Sequence, residues 1–79
     1  MNMWNTELQI LQRIGFTREN ATYIREHRDK YILQESESKL LLSRDLLECN
    51  NQNVREQANM ILLNMPEMFE PEGESGGQA

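Results

Sequence analysis

The sequence predicts an all-α protein in which a long central helix is flanked by two short helices. Fifty residues, from Phe16 to Met65, contain neither glycine nor proline, the two residue types that most often interrupt regular structure. The same interval is rich in Leu, Glu, Arg and Gln, which favour helices, and contains a single valine. Gly15 and Pro66 stand immediately outside it. We therefore expect helix boundaries at these two residues.

The first helix is predicted to begin at Asn5 or Thr6, which are both favourable N-cap residues. It should end at Gly15, because glycine readily adopts the positive φ of the C′ position. Phe16 would then occupy the C″ position of a Schellman motif and pack back on Leu11. This turn is the most closely specified junction in the sequence.

The central helix is expected to run without interruption from about Thr17, a favourable N-cap residue, to Cys49. The sequence is polar from Glu35 to Ser38, and either serine of this stretch is able to cap a new helix. The alternative is therefore a break near Ser36 to Ser38, which would raise the number of helices to four.

The leucines of this central helix predict a homodimer. Leu33, Leu40 and Leu47 recur at a spacing of seven residues, with small serines between them, as is typical of a seam between paired helices. Two short helices cannot cover so long an apolar surface, and helical chains of this size seldom complete a core alone. We therefore expect a helical dimer with two-fold symmetry. The predicted interface with a second copy or a partner protein comprises Leu33, Ser36, Leu40, Leu42, Ser43, Leu46 and Leu47.

The last helix is predicted to run from Val54 to about Met65. Asn53 is its expected N-cap, with Glu56 completing a capping box three residues later. Pro66 should end the helix, because proline lacks the backbone donor that a helix requires.

Residues 1–70 are expected to form one small domain, followed by a disordered, acidic and glycine-rich tail over residues 71–79. Just before this tail, Met68 and Phe69 lie between two prolines and among glutamates. They are a candidate docking segment for a partner protein, with Phe69 as the anchor. The alternative is that they fold back and cover the end of the core.

Charge and composition limit the partner and the compartment. Thirteen acidic and eight basic side chains give a net charge of −5, which disfavours nucleic acid and favours a partner protein with a basic surface. The lone Cys49 cannot form a disulfide within the chain, which fits a reducing compartment. No apolar stretch reaches the ~18 residues of a membrane span, and the first residues lack the pattern of a secretory signal. We expect a cytoplasmic protein without a membrane segment.

No pattern of residues indicates catalysis. His27 is the only histidine, and a continuous helix would place it about six turns from Cys49, too far for a Cys–His pair. One histidine and one cysteine do not supply the three or four ligands of a metal site. We expect neither enzymatic activity nor a bound metal or cofactor.

The region from residue 8 to residue 28 suggests one alternative function, a helix-turn-helix that binds DNA. A helix, a glycine turn and a capped helix are the parts that this motif requires. Arg18, Asn20, Thr22 and Arg25 would then face the major groove, where arginine and asparagine side chains bind base edges. The net charge of −5 opposes this function, because DNA-binding domains are normally basic.

The sequence therefore predicts a small, non-enzymatic regulator that acts by binding another protein. An adaptor or inhibitor would occlude the functional surface of its partner, for example a transcription factor or another nucleic-acid-binding protein. The alternatives are the DNA-binding regulator described above and a purely structural protein that assembles with copies of itself.

Overall fold

Helix α1, Met3–Ile14, is the first element of the computed structural model, which describes residues 3–36 and 38–72. The helix begins earlier than predicted and ends where predicted. Gly15 has a φ of 130°, and hydrogen bonds join Gly15 N to Gln12 O at 3.1 Å and Phe16 N to Leu11 O at 3.0 Å. These are the two bonds of a Schellman motif, so this prediction is confirmed.

Two helices follow this turn in place of the start of one long helix. Helix α2 is Arg18–Glu26, and the Thr17 side chain caps it by accepting a hydrogen bond from Asn20 N at 3.1 Å, as predicted. The helical path breaks at His27, where φ is −119° and ψ is 35°. Helix α3, Arg28–Tyr31, is a single turn beyond this break.

The predicted all-α fold with a continuous central helix is wrong, because the middle of the chain forms a β-hairpin. Strands β1, Ile32–Glu35, and β2, Leu40–Leu42, are antiparallel, with Glu35 opposite Leu40 and Ile32 opposite Leu42. A 3₁₀ helix, Arg44–Glu48, follows directly. The described residues therefore contain four α-helices and a two-stranded antiparallel sheet, a mixed α and β fold.

The hairpin forms because tertiary burial overrides the helical propensity of these residues. Leu40 and Leu42 are buried while Leu41 between them is only half-buried, the alternation of a strand with one face on the core. The turn closes through a hydrogen bond from Ser36 N to Lys39 O at 2.9 Å. No glycine lies in this turn, so the absence of glycine and proline did not exclude a reversal of the chain. The alternative break near Ser36 to Ser38 falls between β1 and β2 rather than between two helices, and residue 37 lies outside the described residues.

Helix α4, Gln52–Asn64, buries Val54, Ala58 and Ile61. Its N-cap is Asn51, whose side-chain oxygen accepts a hydrogen bond from Val54 N at 3.1 Å. The predicted cap, Asn53, instead lies in the first turn of the helix. Pro66 begins a 3₁₀ helix, Pro66–Met68, and the expected end of α4 before this proline is confirmed.

The segment after α4 packs onto the hairpin. Phe69 is buried and forms a parallel β-bridge with Leu42, and Glu70 N donates to Leu42 O at 2.9 Å. Phe69 therefore belongs to the core of its own chain, and Met68 packs against that core, which matches the alternative for this candidate docking segment. Of the predicted tail, Pro71 and Glu72 are exposed, and residues 73–79 lie outside the described residues.

The leucines predicted to form an intermolecular seam have different environments. Leu40, Leu42 and Leu46 are buried within the chain, Leu47 is half-buried, and Leu33 is exposed. Of the two predicted interface serines, Ser43 is buried and Ser36 is exposed. The helical seam on which the predicted helical dimer depended is therefore not formed, because the hairpin folds most of these leucines into their own core.

Apolar side chains from every α-helix, from β2 and from the C-terminal segment form one core. Within residues 3–36 and 38–72, no helix combines the length and the apolar character needed to cross a bilayer. The buried apolar residues are Leu8, Ile10, Leu11, Phe16, Ala21, Ile24, Tyr31, Leu40, Leu42, Leu46, Cys49, Val54, Ala58, Ile61 and Phe69.

Candidate functional site

A buried ionic cluster connects the first helix to the middle of the chain. The Glu7 side chain on α1 is only 1% exposed. Arg28 Nε donates to its two carboxylate oxygens at 3.0 and 3.1 Å, and Arg28 Nη2 bonds it as well. Arg25 Nη1 lies 3.0 Å from Glu7 Oε1, and Arg28 Nη2 also donates to Glu35 Oε1 at 2.8 Å. Two carboxylates and two guanidinium groups thus join α1, α2, α3 and β1.

The environment of this cluster shifts the pKa values of its two carboxyls in opposite directions. Burial raises the pKa of Glu7, but the hydrogen bonds from Arg28 and the contact with Glu35 outweigh it, together with the charges of Arg28 and Arg25. The pKa of Glu7 is therefore lowered. The pKa of Glu35 is raised, mainly by its contact with Glu7, and also by burial and by the Glu7 charge. Glu7 is thus the carboxylate that the two arginines stabilise in its charged form.

Sequence reasoning missed this cluster, although one signal was present. Glu7 stands three residues after Trp4 and four residues before Leu11, and this spacing places a carboxylate on the apolar side of α1. Its partner Arg28 is 21 residues away in sequence, so no local pattern pairs the two side chains.

Three of the four residues predicted to contact DNA use their side chains for contacts within the protein. Arg25 is held by Glu7, and Thr22 Oγ1 donates to Arg18 O at 2.8 Å within its own helix. Asn20 is buried, and its Nδ2 donates to Gln57 Oε1 at 2.7 Å. Arg18 is the one member of the four predicted contacts that the structure places fully on the surface.

An open groove lies between α2 and α4, and hydrogen bonds to the Gln57 side chain connect the two helices there. Gln57 Oε1 on α4 accepts hydrogen bonds from Thr17 N at 2.9 Å and from Asn20 Nδ2 at 2.7 Å, which holds the start of α2 against α4. The surface here is concave, with two adjoining hollows of about 690 and 650 Å³. We call these adjoining hollows the α2–α4 groove. Their shared lining residues are Glu19, Asn20 and Asn53.

One end of the α2–α4 groove is apolar. Ile14, Met60 and Ile61 line the first hollow, and Met60 is 63% exposed. Leu63, one turn further along α4, is 81% exposed. Leu33, Met60 and Leu63 are the exposed large apolar side chains of the described residues, so two of the three lie together on α4.

Both hollows of the groove also carry acidic side chains. Glu19 and Glu56 line the first hollow, and Glu26 lines the second, while Arg18 is the basic side chain of the lining. Three carboxylates and one guanidinium group thus line the groove. Glu56 accepts a hydrogen bond from Gln52 along its own helix at 2.9 Å, and the Glu56 residue is exposed.

The chemistry of the remaining surface is limited. Among residues 3–36 and 38–72, no three His, Cys, Asp or Glu side chains converge on a metal-sized site. His27 packs against Tyr23, with ring centroids 4.3 Å apart, and its Nδ1 lies 2.8 Å from Tyr23 O. Cys49 is buried, and its thiol donates to Asn51 O at 3.5 Å. The α2–α4 groove is therefore the strongest candidate for a functional surface.

The chain matches no known protein-family model, no curated protein and no solved structure.

Proposed function

We propose that this protein is a non-enzymatic regulator that binds another protein through the α2–α4 groove. The observation that carries the proposal is the exposed apolar side chain of Met60, 63% exposed in the lining of this groove, with Leu63, 81% exposed, three residues further along α4. Neighbouring exposed apolar side chains next to a concave surface are typical of a protein–protein interface. A small domain that docks in this way acts as an adaptor or an inhibitor by covering the surface of its partner.

The arrangement of the polar residues supports this function over DNA binding. Asn20 and Arg25, the two predicted base-reading side chains with partners elsewhere in the fold, hold α2 against α4 and α1. Releasing them toward DNA would break contacts within the domain. The three carboxylates of the groove would also repel a phosphate backbone.

Site-specific photo-crosslinking tests the proposal. A photoreactive amino acid replaces Met60 in one variant and Leu33 in a matched control, because Leu33 is also exposed, at 48%, but lies on β1 away from the groove. Both variants are irradiated in an extract of the native cells, and their adducts are identified by mass spectrometry. We expect one dominant protein adduct from position 60 and none of comparable yield from position 33.

Two further measurements separate the alternative functions. A salt-sensitive mobility shift with bulk DNA that is lost in Arg18→Ala would contradict the proposal and favour a DNA-binding protein. A self-adduct at position 60 in the purified chain, with sedimentation that depends on concentration, would favour a homo-oligomer. Equal adducts from positions 60 and 33 would also contradict the proposal.

A further inference from the structure

We infer that the occupant of the α2–α4 groove is a positively charged amphipathic segment of another protein, an inference that rests on the function proposed above. Such a segment presents one large apolar side chain and several Lys or Arg residues on the same side. The apolar end of the groove defines the apolar side chain, the charge of the groove defines the basic residues, and its length defines the length of the segment.

The apolar end of the groove defines the anchor of the partner. Met60 is exposed at the side of the hollow, and Ile14 and Ile61 line the same hollow. A large apolar side chain placed here would remove the Met60 side chain from water, which favours binding. Methionine also adapts its shape to different apolar partners, because its side chain is unbranched and flexible.

The charge of the groove defines the rest of the partner. Glu56 lies one turn from Met60 on α4, and Glu19 and Glu26 continue the acidic lining along α2. Arg18 is the basic side chain of the lining, so the groove carries three negative charges and one positive charge. Lys or Arg side chains of a partner would be attracted to this surface and would set the direction in which the segment lies.

The same charges argue against the other classes of occupant. Nucleic acid would place phosphates against Glu19, Glu26 and Glu56, which is unfavourable. A second copy of the chain that docked by two-fold symmetry would place the same acidic surfaces against each other. A basic segment of a different protein is the occupant that these carboxylates favour.

The length of the groove sets the length of the segment. The groove-lining residues of α4 run from Asn53 to Asn64, which corresponds to about 16 Å along the helix axis. A helical segment of about eleven residues has the same length. A linear peptide of this size is therefore a suitable probe.

Selection from a random peptide display library tests the inference, with peptides of about twelve residues and the full chain as the target. We expect the selected peptides to combine a large apolar residue with an excess of Lys and Arg. Backbone amide signals of the ¹⁵N-labelled chain should shift around Met60, Glu56 and Glu19 when a selected peptide is added.

Charge reversal provides the matched comparison. The double variant Glu19→Lys, Glu56→Lys reverses charge inside the groove, and Glu48→Lys, Glu67→Lys makes the same change in net charge at exposed positions outside it. Circular dichroism first confirms that both variants are folded. We expect the affinity for the selected peptides to fall about tenfold in the groove variant and to stay within about threefold of the original in the control.

The outcomes distinguish this inference from the proposed function. Peptides that bind at the groove and are lost in Met60→Glu, but show no excess of basic residues, would overturn the basic partner and leave the protein-binding function intact. Equal losses of affinity in the two charge-reversal variants would also overturn the basic partner. Peptides that bind outside the groove, or a library that yields no binder, would overturn both.

Discussion

Glu7 is the residue whose environment differs most from that of an ordinary surface carboxylate. It is buried in the apolar face of α1 and is bound by Arg25 and Arg28. Replacing a buried ion pair with apolar residues is often neutral, but removing one partner leaves the other charge without compensation. A substitution of Glu7 alone therefore tests whether the ionic cluster stabilises the fold.

Glu7→Gln keeps the size of the side chain and removes its charge. We expect the free energy of unfolding at neutral pH to fall by roughly 3 kcal/mol, because Arg25 and Arg28 lose their buried counter-charge. The folded-state pKa of Glu7 lies below the reference value of 4.5. The stabilisation is therefore present above that value and is lost as the pH falls through the lowered pKa. Urea unfolding at neutral pH should show the lower free energy of unfolding of Glu7→Gln. The difference between this variant and the original chain should shrink below about pH 4.

Glu35→Gln is the matched control for this prediction. The folded-state pKa of Glu35 is raised, so its contribution to stability is present below its unfolded pKa and is lost as the pH rises through the raised value. Removing its charge should leave the unfolding free energy at neutral pH unchanged or slightly higher. If Glu7→Gln were as stable as the original chain at neutral pH, the cluster would not stabilise the fold.

The hairpin is the element that distinguishes the observed fold from the predicted helix. A continuous helix would place Leu33 on the same seam as Leu40 and Leu47, whereas the structure exposes 48% of Leu33 and buries Leu42 completely. The two leucines on facing strands therefore contribute very differently to stability.

We expect Leu42→Ala to lower the free energy of unfolding by about 3 kcal/mol, because it leaves a cavity beneath the sheet. Leu33→Ala should cost less than about 1 kcal/mol, because its side chain is half in water. Guanidinium unfolding followed by circular dichroism measures both. Equal losses for the two variants would contradict the hairpin and restore the helical seam.

Helix ends were easier to predict than the middle of the chain, for a physical reason. The Schellman turn at Gly15 and the cap at Thr17 depend on hydrogen bonds between residues a few positions apart, so the local sequence specifies them. The hairpin depends on Leu42 meeting Phe69, a contact that no local pattern encodes. The N-cap of α4 is Asn51 and not the predicted Asn53, because Asn50, Asn51 and Asn53 are all favourable cap residues.

At the scale of the whole molecule, both ends of the described chain close onto its middle. Glu7 of α1 binds Arg28 of α3, and the C-terminal segment packs on β2 through Phe69 and Glu70. The Glu70 carboxylate also accepts a hydrogen bond from Arg44 N at 3.0 Å, at the start of the first 3₁₀ helix. The C-terminal segment is therefore part of the domain, and this explains why Phe69 is not displayed to a partner.

Phe69→Ala should destabilise the whole domain, because a buried aromatic ring that packs in the core beside β2 is removed. We expect the thermal unfolding midpoint to fall by more than about 10 °C. Glu67→Ala, at an exposed position two residues earlier, should change it by less than about 3 °C. A small shift for Phe69→Ala would indicate that the C-terminal segment does not complete the core.

The amino-acid sequence alone determined the cap at Thr17, the end of α1 at Gly15, the end of α4 before Pro66 and the acidic composition of the chain, because each of these follows from neighbouring residues or from composition. Only the tertiary structure decided that the leucine-rich middle pairs as a hairpin, that Glu7 is buried between two arginines, and that Met60 remains exposed in an acidic groove. These three features depend on contacts between residues far apart in the chain, where burial in a shared core outweighs the local preference for helix.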